Sequence, residues 1–375
     1  MSRAFAWLVL SAFLHFASFY YLAATLPLYL LDLGGSTYQV GLINGAFALT
    51  SLLVRPFFGA WMDRAGRKAF LVAGAGIYVV ASLGYMPLHS AQALLWWRVF
   101  HALGLATFST AAVSVAGDLA PPRRRGTTIG AFGLAQAGAL TVGPAVGLLL
   151  QRTLGYTGLF VTTAGTALAS LVCALPIPGG AIPESRNPDS PRGIGRESSL
   201  RATALPAFAQ FAASAAYGAI VSFVAVLAES RGLGTAGVFF ALFALSSLGG
   251  RPLAGNAYDR RGPAFVLAPA FLAVAAGLAL LALGSGQAPF LLGGVLTGAG
   301  IGGAHTTLIA RLIDRAPSGS RATSVAGFTA CWELGVGAGS ILTGHLAGTG
   351  DFPAAFLTVA ALPVLGLAVL PWLRR

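Results

Sequence analysis

Long apolar runs, each closed by a short polar cluster, recur along the whole chain. Twelve fall near 5–31, 38–61, 69–88, 91–116, 126–151, 157–177, 204–228, 235–257, 264–283, 288–313, 322–347 and 353–372. Each supplies the ~20 residues that a helix rising ~1.5 Å per residue needs to cross ~30 Å of hydrocarbon. The only substantial hydrophilic stretch, 178–203, carries Pro178, Pro183, Pro188 and Pro191, several Gly and Ser, and mixed charge without a hydrophobic period. Such composition predicts a flexible cytoplasmic linker. The expected domains are therefore a six-helix bundle over 1–177, the linker over 178–203 and a second six-helix bundle over 204–375.

The two halves carry the same text. Arg55-Pro56 returns as Arg251-Pro252, 196 positions later, and the same offset takes Gly59 to Gly255, Asp63 to Asp259, Arg64 to Arg260 and Gly66 to Gly262. It continues through Gly104 and Gly300, Asp118 and Asp314, Pro121 and Pro317, Phe132 and Phe328, and Gly143 and Gly339. Two copies in the same orientation require an even number of crossings in each, and parallel repeats of this kind build one transporter architecture. The fold class expected is an all-α membrane protein of twelve transmembrane helices in two pseudo-symmetric six-helix bundles.

Composition agrees: 56% of residues are hydrophobic, 9% are charged and the mean hydropathy is +0.78, values foreign to a soluble domain of this length. The net charge of +12 would suggest nucleic acid in a soluble protein. Here 18 of the 23 basic residues cluster at the termini and in the even-to-odd loops, among them Arg64, Arg67, Lys68, Arg123, Arg124, Arg125, Arg260 and Arg261. By the positive-inside rule both termini are cytoplasmic, and the charge reports topology rather than a nucleic-acid partner. Arg3 followed directly by an apolar run, with no small-residue cleavage site, reads as a retained first helix. Cys173 and Cys331 both lie inside spans and form no disulfide framework or metal-ligand spacing, so neither metal nor cofactor is expected.

The loop between spans 2 and 3 resembles the signature of the major facilitator superfamily, GxxxDRxGR plus a basic residue. Gly59, Asp63, Arg64, Gly66, Arg67 and Lys68 match it in full, and Gly255, Asp259, Arg260 and Gly262 form a degenerate second copy ending in Pro263 and Ala264. Span 4 partly matches a second family pattern through Arg98 and Gly104, with His101 and Ala102 replacing its usual Gln-Gly. Span 5 holds GPxxG, as Gly143-Pro144-Ala145-Val146-Gly147, a pattern typical of exporting members. The resemblance covers nearly the whole chain and implies a proton-driven exporter of drugs, sugars or metabolites, monomeric, in the plasma or inner membrane.

Within that frame the residues divide by chemistry. Gly59, Asp63, Arg64, Gly66, Arg67, Asp259 and Arg260 at the cytoplasmic loops, with Gly143 and Pro144, are candidate gating positions. Asp63 is suited to the positive end of a helix dipole, such as the helix start near Arg321 to Ser324. Arg98 and Glu333 are ionisable and lie deep in spans 4 and 11, where a charge costs at least ~2.5–3.5 kcal/mol and calls for a role. A guanidinium does not release its proton, whereas a carboxyl does. Glu333 is thus the candidate proton carrier, with Arg98 and His101 as its coupling partners. Aromatic residues of spans 1 and 7, including Tyr20, Tyr21 and Tyr217, together with Asn44, Gln136, His305 and Trp332, are candidate cavity-lining positions. They suit an apolar or amphiphilic small molecule.

The sequence holds no GxxxxGK[ST] phosphate loop, no HExxH and no GxSxG with acid and histidine in a plausible loop, which argues against ATP-driven pumping and against a membrane enzyme. The remaining alternatives are a proton-coupled or facilitative importer of a sugar or metabolite and, further off, a non-transporting receptor. GPxxG favours export over import, and the lack of any sizeable soluble domain argues against a receptor.

Overall fold

The computed structural model describes residues 2–120, 125–179, 196–315 and 321–373; within these, the side chains at 56, 59, 60, 63, 125–131, 196–205, 321–326, 369, 372 and 373 are left undescribed. The described residues form helices and short connections, with no strand among them. In order they are α1 (Arg3–Asp32), α2 (Thr37–Ala65), α3 (Arg67–Gly84), α4 (Ala91–Leu119), α5 (Arg125–Ala174), α6 (Arg196–Ser230), α7 (Ala236–Arg261), α8 (Pro263–Leu283), α9 (Gln287–Arg315), α10 (Arg321–Ala347), α11 (Phe352–Gly366) and, after a 3₁₀ turn, α12 (Leu370–Leu373).

All twelve expected spans fall on these helices, but not one to one. Spans 5 and 6 both lie on α5, which breaks only at Gly155, where φ is 68°. The last span is divided by the 3₁₀ turn at Leu367–Val369. Eight helices are long and apolar enough to cross a membrane by length and composition among the described residues. Helices α9 and α10 are not in that set. Both are rich in Gly and Thr, which lower hydropathy while letting backbones approach closely.

Helix ends follow from local chemistry. Ser2 and Ser90 accept from Phe5 N and Ala93 N at 3.3 Å, and Asp351 accepts from Ala354 N at 2.8 Å, each satisfying an orphan donor of a first turn. Arg231 donates to the carbonyls of Gly284 and Ala282 at 3.2 and 3.0 Å, closing the C-terminal end of α8. The repeat-related glycines Gly66 and Gly262 turn the chain between α2 and α3 and between α7 and α8 with φ of 90° and 78°. A side chain would be strained there, which explains why the motif carries glycine in both copies.

The chain divides into two units, one of residues 1–35 and 46–186, the other of 36–45 and 187–375. The division at 186 and 187 falls in the expected linker, of which 180–195 lie outside the described residues. Helix α2 contributes to both units, its opening turns clustering with the second.

In the first unit α1 packs along α5, and α3 packs on α4 and α5. A Cβ at Gly143 would lie 2.4 Å from Tyr20 Cβ, and one at Gly147 would lie 2.5 Å from Tyr21 O, so the two glycines of GPxxG admit α1. In the second unit α6 packs on α10, α9 and α11, and α9 lies against α7 and α8. Gly339, the repeat partner of Gly143, makes the equivalent contact, with its Cβ direction 2.0 Å from Ala215 O. Ser11 and Ser170 exchange hydroxyl-to-carbonyl hydrogen bonds of 2.9 and 2.8 Å, tying α1 to α5 where lipid offers no partner.

Candidate functional site

Each unit holds its own cluster of aromatic and ionisable side chains. In the first unit Arg98 on α4 is 2% exposed, and its guanidinium carbon lies 4.1 Å from the centre of the Phe47 ring. Such a cation–π contact, in a desolvated place, supplies ~2 kcal/mol. Among the described residues no carboxylate pairs with Arg98. Its Nη1 instead lies 3.4 Å from His101 Nδ1, which Tyr85 Oη also approaches at 3.0 Å. Arginine can only donate, so His101 Nδ1 accepts and the ring is the neutral Nε2–H tautomer. Tyr78 stands between two histidines, with ring centres 4.0 Å from His101 and 4.3 Å from His15, and His15 stacks on Phe108 at 3.8 Å and 11°.

In the second unit Tyr217 on α6, Trp332 on α10 and His305 on α9 come together. Ring centres are 5.4 Å apart for Tyr217 and Trp332 and 5.2 Å for His305 and Trp332, with Phe243 and Phe328 flanking at 6.0 and 5.5 Å. Glu333 follows Trp332 near the middle of α10 and is half-buried, as are Trp332 and His305. In this unit Asn44 donates to Ser222 Oγ at 2.9 Å. Ser222 shares a 2.9 Å hydrogen bond with Ser340, which donates to Gly218 O at 3.1 Å. Asn44 is thus engaged in a chain of hydroxyls joining the opening of α2 to α6 and α10.

Other sequence-derived positions are placed as follows. Tyr20 is buried against Gly143, Tyr21 is half-buried and Gln136 is exposed. Gly143 and Pro144 are buried inside α5, packed within the first unit. Arg64, Asp259 and Arg260 are exposed, and Gly59 and Asp63 lie outside the described side chains.

Arg67 is ion-paired with Asp118 at the end of α4, and Tyr258 donates to Asp314, the repeat partner of Asp118, at the end of α9. Each unit therefore fastens the same acid, at the equivalent helix end, with a different donor. Sequence reasoning placed the two acids in the repeat without assigning them partners. The repeat also contains Phe47, Ser51 and Arg55, whose counterparts 196 positions on are Phe243, Ser247 and Arg251; that longer match would have singled out the two aromatic positions now seen in the clusters.

A bundle of long apolar helices, written twice, with ionisable groups held inside each copy, is the architecture of a multi-pass membrane transporter. The family profile described as Major Facilitator Superfamily matches residues 8–287 and 206–375, and the chain belongs to that superfamily. Similar proteins include the uncharacterized MFS-type transporter YhhS of Escherichia coli K12, 26% identical over 363 residues, which cover 93% of this chain and 87% of that one. YhhS of Salmonella typhi is 27% identical over 367 residues, with the same shares covered. Among solved structures, a bacterial homolog of the human lysosomal transporter Spinster, inward-facing and unoccupied, aligns with a TM-score of 0.78 at 18% identity over 99% of this chain and 97% of that one. The nucleoside transporter NupG aligns with a TM-score of 0.76 at 15% identity over the whole of both chains. The fold is thus that of a transporter and not of an enzyme.

Proposed function

We propose that this protein exports a small organic solute in exchange for protons, by alternating exposure of a solute site to the two sides of the plasma or inner membrane. It works as a monomer with both termini in the cytoplasm. The observation that carries the reading is the position of Glu333. Among the carboxylates of the described residues, it alone lies far from a helix end or loop, half-buried beside Trp332 and the rings of Tyr217 and His305. A charged carboxyl there is costly, and binding a proton removes the cost. Arg98 supplies fixed positive charge in the first unit, with His101 held neutral against it, and the aromatic rings give an amphiphilic solute an apolar wall. One proton moving inward releases ~2.3 kcal/mol per 100 mV, enough to accumulate a solute about fifty-fold.

The test is transport in proteoliposomes against a panel of amphiphilic drugs, sugars and nucleosides, with a pH gradient imposed in either direction. At least one compound is expected to move opposite to the proton gradient and to reverse when the gradient reverses. Movement that ignores the gradient, or that follows the protons, overturns antiport; the latter would establish the importer.

Asp63, with Arg64, Gly66 and Arg67, forms the proposed cytoplasmic gate. Asp63→Asn is expected to raise the reactivity of a cysteine placed in the second-unit cluster toward a membrane-impermeant thiol reagent added from the cytoplasmic side, by several-fold. Unchanged reactivity removes Asp63 from the gate. The Arg67 and Asp118 pair is partly exposed, with side chains 22% and 39% accessible, so Arg67→Gln is expected to change stability by less than ~1 kcal/mol and to act on gating instead.

A further inference from the structure

His15 is an isolated polar group among the described residues. It is 0% exposed on α1, stacked on Phe108, and neither ring nitrogen has a hydrogen-bond partner. Beside it Tyr78 Oη, also fully buried, has none, and His101 Nε2 beyond Tyr78 has none. Buried polar atoms are nearly always paired, and leaving one unpaired costs more than replacing it with an apolar group of the same shape. A phenylalanine at position 15 would fill the same stack without that cost. Packing alone therefore does not account for three adjacent rings with four unpaired polar atoms.

The chemistry distinguishes the two histidines. Arg98 faces His101 Nδ1, so a proton added there would set two cations against each other at 3.4 Å. His15 is screened from Arg98 by Tyr78 and His101 and has both nitrogens free. The other titratable or charged groups around it are Tyr78 on α3, Tyr85 just past the end of α3, Arg98 and His101 on α4 and Tyr20 on α1. Helix α5 brings Ser170, closed onto Ser11, and α2 brings Phe47 against Arg98 and His101. No carboxylate is among these groups, so a charged ring at position 15 has neither counter-ion nor acceptor, and in the state described it is neutral.

We propose that His15, with Tyr78 and His101 as its polar ring neighbours, is a second proton-binding site, wholly inside the first unit. It is neutral while enclosed by the rings of Phe108 and Tyr78 and takes up a proton when that unit opens to water, the water also pairing Tyr78 Oη and His101 Nε2. The proposal rests on the proton-coupled reading above but places a proton on a residue that reading does not use. Closure of the unit expels water and with it the proton, which ties proton release to a change of shape.

The test uses the full chain labelled with 15N-histidine in lipid nanodiscs and needs no transported compound. The chain has five histidines, so single substitutions assign every ring. The His15 ring is expected to pass from the neutral pattern to the imidazolium pattern as pH falls from ~8 to ~5, while His101 keeps its Nε2–H pattern. In proteoliposomes His15→Phe is expected to keep or raise the unfolding temperature and to flatten the pH profile of transport; His15→Gln, which keeps hydrogen bonding but not titration, is expected to flatten it as well. A His15 ring that stays neutral to pH ~5, or a His15→Phe chain with the wild-type pH profile, overturns the proposal. If wild-type transport ignores pH gradients, the coupling reading fails by itself, and the ring titration still decides the proton site.

Discussion

Replacing Gly339 with leucine is expected to prevent the second unit from folding. The Cβ direction of Gly339 ends 2.0 Å from the carbonyl oxygen of Ala215 and 2.6 Å from its carbonyl carbon. One turn away on the facing helix, Gly218 stands 2.1 Å from Val336 O in the same sense, so α6 and α10 are in backbone contact on both sides of the crossing. A neighbouring side chain can rotate away from an intruding methyl group, but a helix backbone cannot. Room for leucine requires the two helices to part, which also breaks the Ser340 to Gly218 O bond of 3.1 Å. Overpacking costs ~1–3 kcal/mol, occasionally more, and a clash with backbone falls at the upper end, a large share of a typical stability. The expected readouts are loss of monodisperse protein from detergent extracts or, where protein survives, a fall of ten degrees or more in unfolding temperature. Gly76 on α3 is the control. Nothing lies within 4 Å of its Cβ direction, so Gly76→Ala is expected to be neutral or to stabilise by up to ~1 kcal/mol.

Glu333→Gln is expected to leave the protein folded and to abolish accumulation driven by a pH gradient, by a factor of at least ten. The amide keeps the size of the carboxyl and two of its hydrogen-bonding roles, so packing beside Trp332 is preserved while the capacity to take up and release a proton is lost. Downhill exchange of solute is expected to survive, because the rings of Tyr217, Trp332 and His305 are untouched. Asp63→Asn, in contrast, should alter the balance between the two exposures and leave coupling intact. Equal losses of downhill and gradient-driven transport in Glu333→Gln would make Glu333 a structural or solute-binding group instead of the carrier.

The repeat made much of the fold legible. Gly66 and Gly262 announced equivalent turns because a positive φ at a tight connection has few alternatives to glycine, and apolar length announced the helices because hydrocarbon tolerates little else. What periodicity did not announce was the continuity of α5: the expected loop at 152–156, which holds Arg152, is only a break in the helix at Gly155. Hydropathy also underrates α9 and α10, whose neighbours are helix backbones more than lipid, so that small residues there serve packing and not partition.

The clusters were legible only in part. Arg98 and His101 share one turn of α4; Arg98 matched a family pattern and was ionisable within a span, and His101 stood out by replacing the Gln of that pattern. The ion pair of Arg67 with Asp118 joins residues 51 positions apart, and the stack of His15 with Tyr78 and Phe108 draws on three helices; no local pattern encodes either. His15 carried no signal beyond being a histidine in an apolar run, a residue type that in membrane helices commonly serves as an interhelical donor. Here neither ring nitrogen has a hydrogen-bond partner, a feature of the three-dimensional packing that the sequence does not encode locally.

The most direct test of the central claim is the proton movement that accompanies solute movement. Proteoliposomes loaded with a pH-sensitive dye, at zero membrane potential and equal starting pH, receive an outward or inward solute gradient. The account predicts a lumenal pH change of the sign that carries protons against the solute, reversed when the solute gradient is reversed and absent in Glu333→Gln. Solute moving with no pH change in the wild type, or protons moving along with it, would contradict the account.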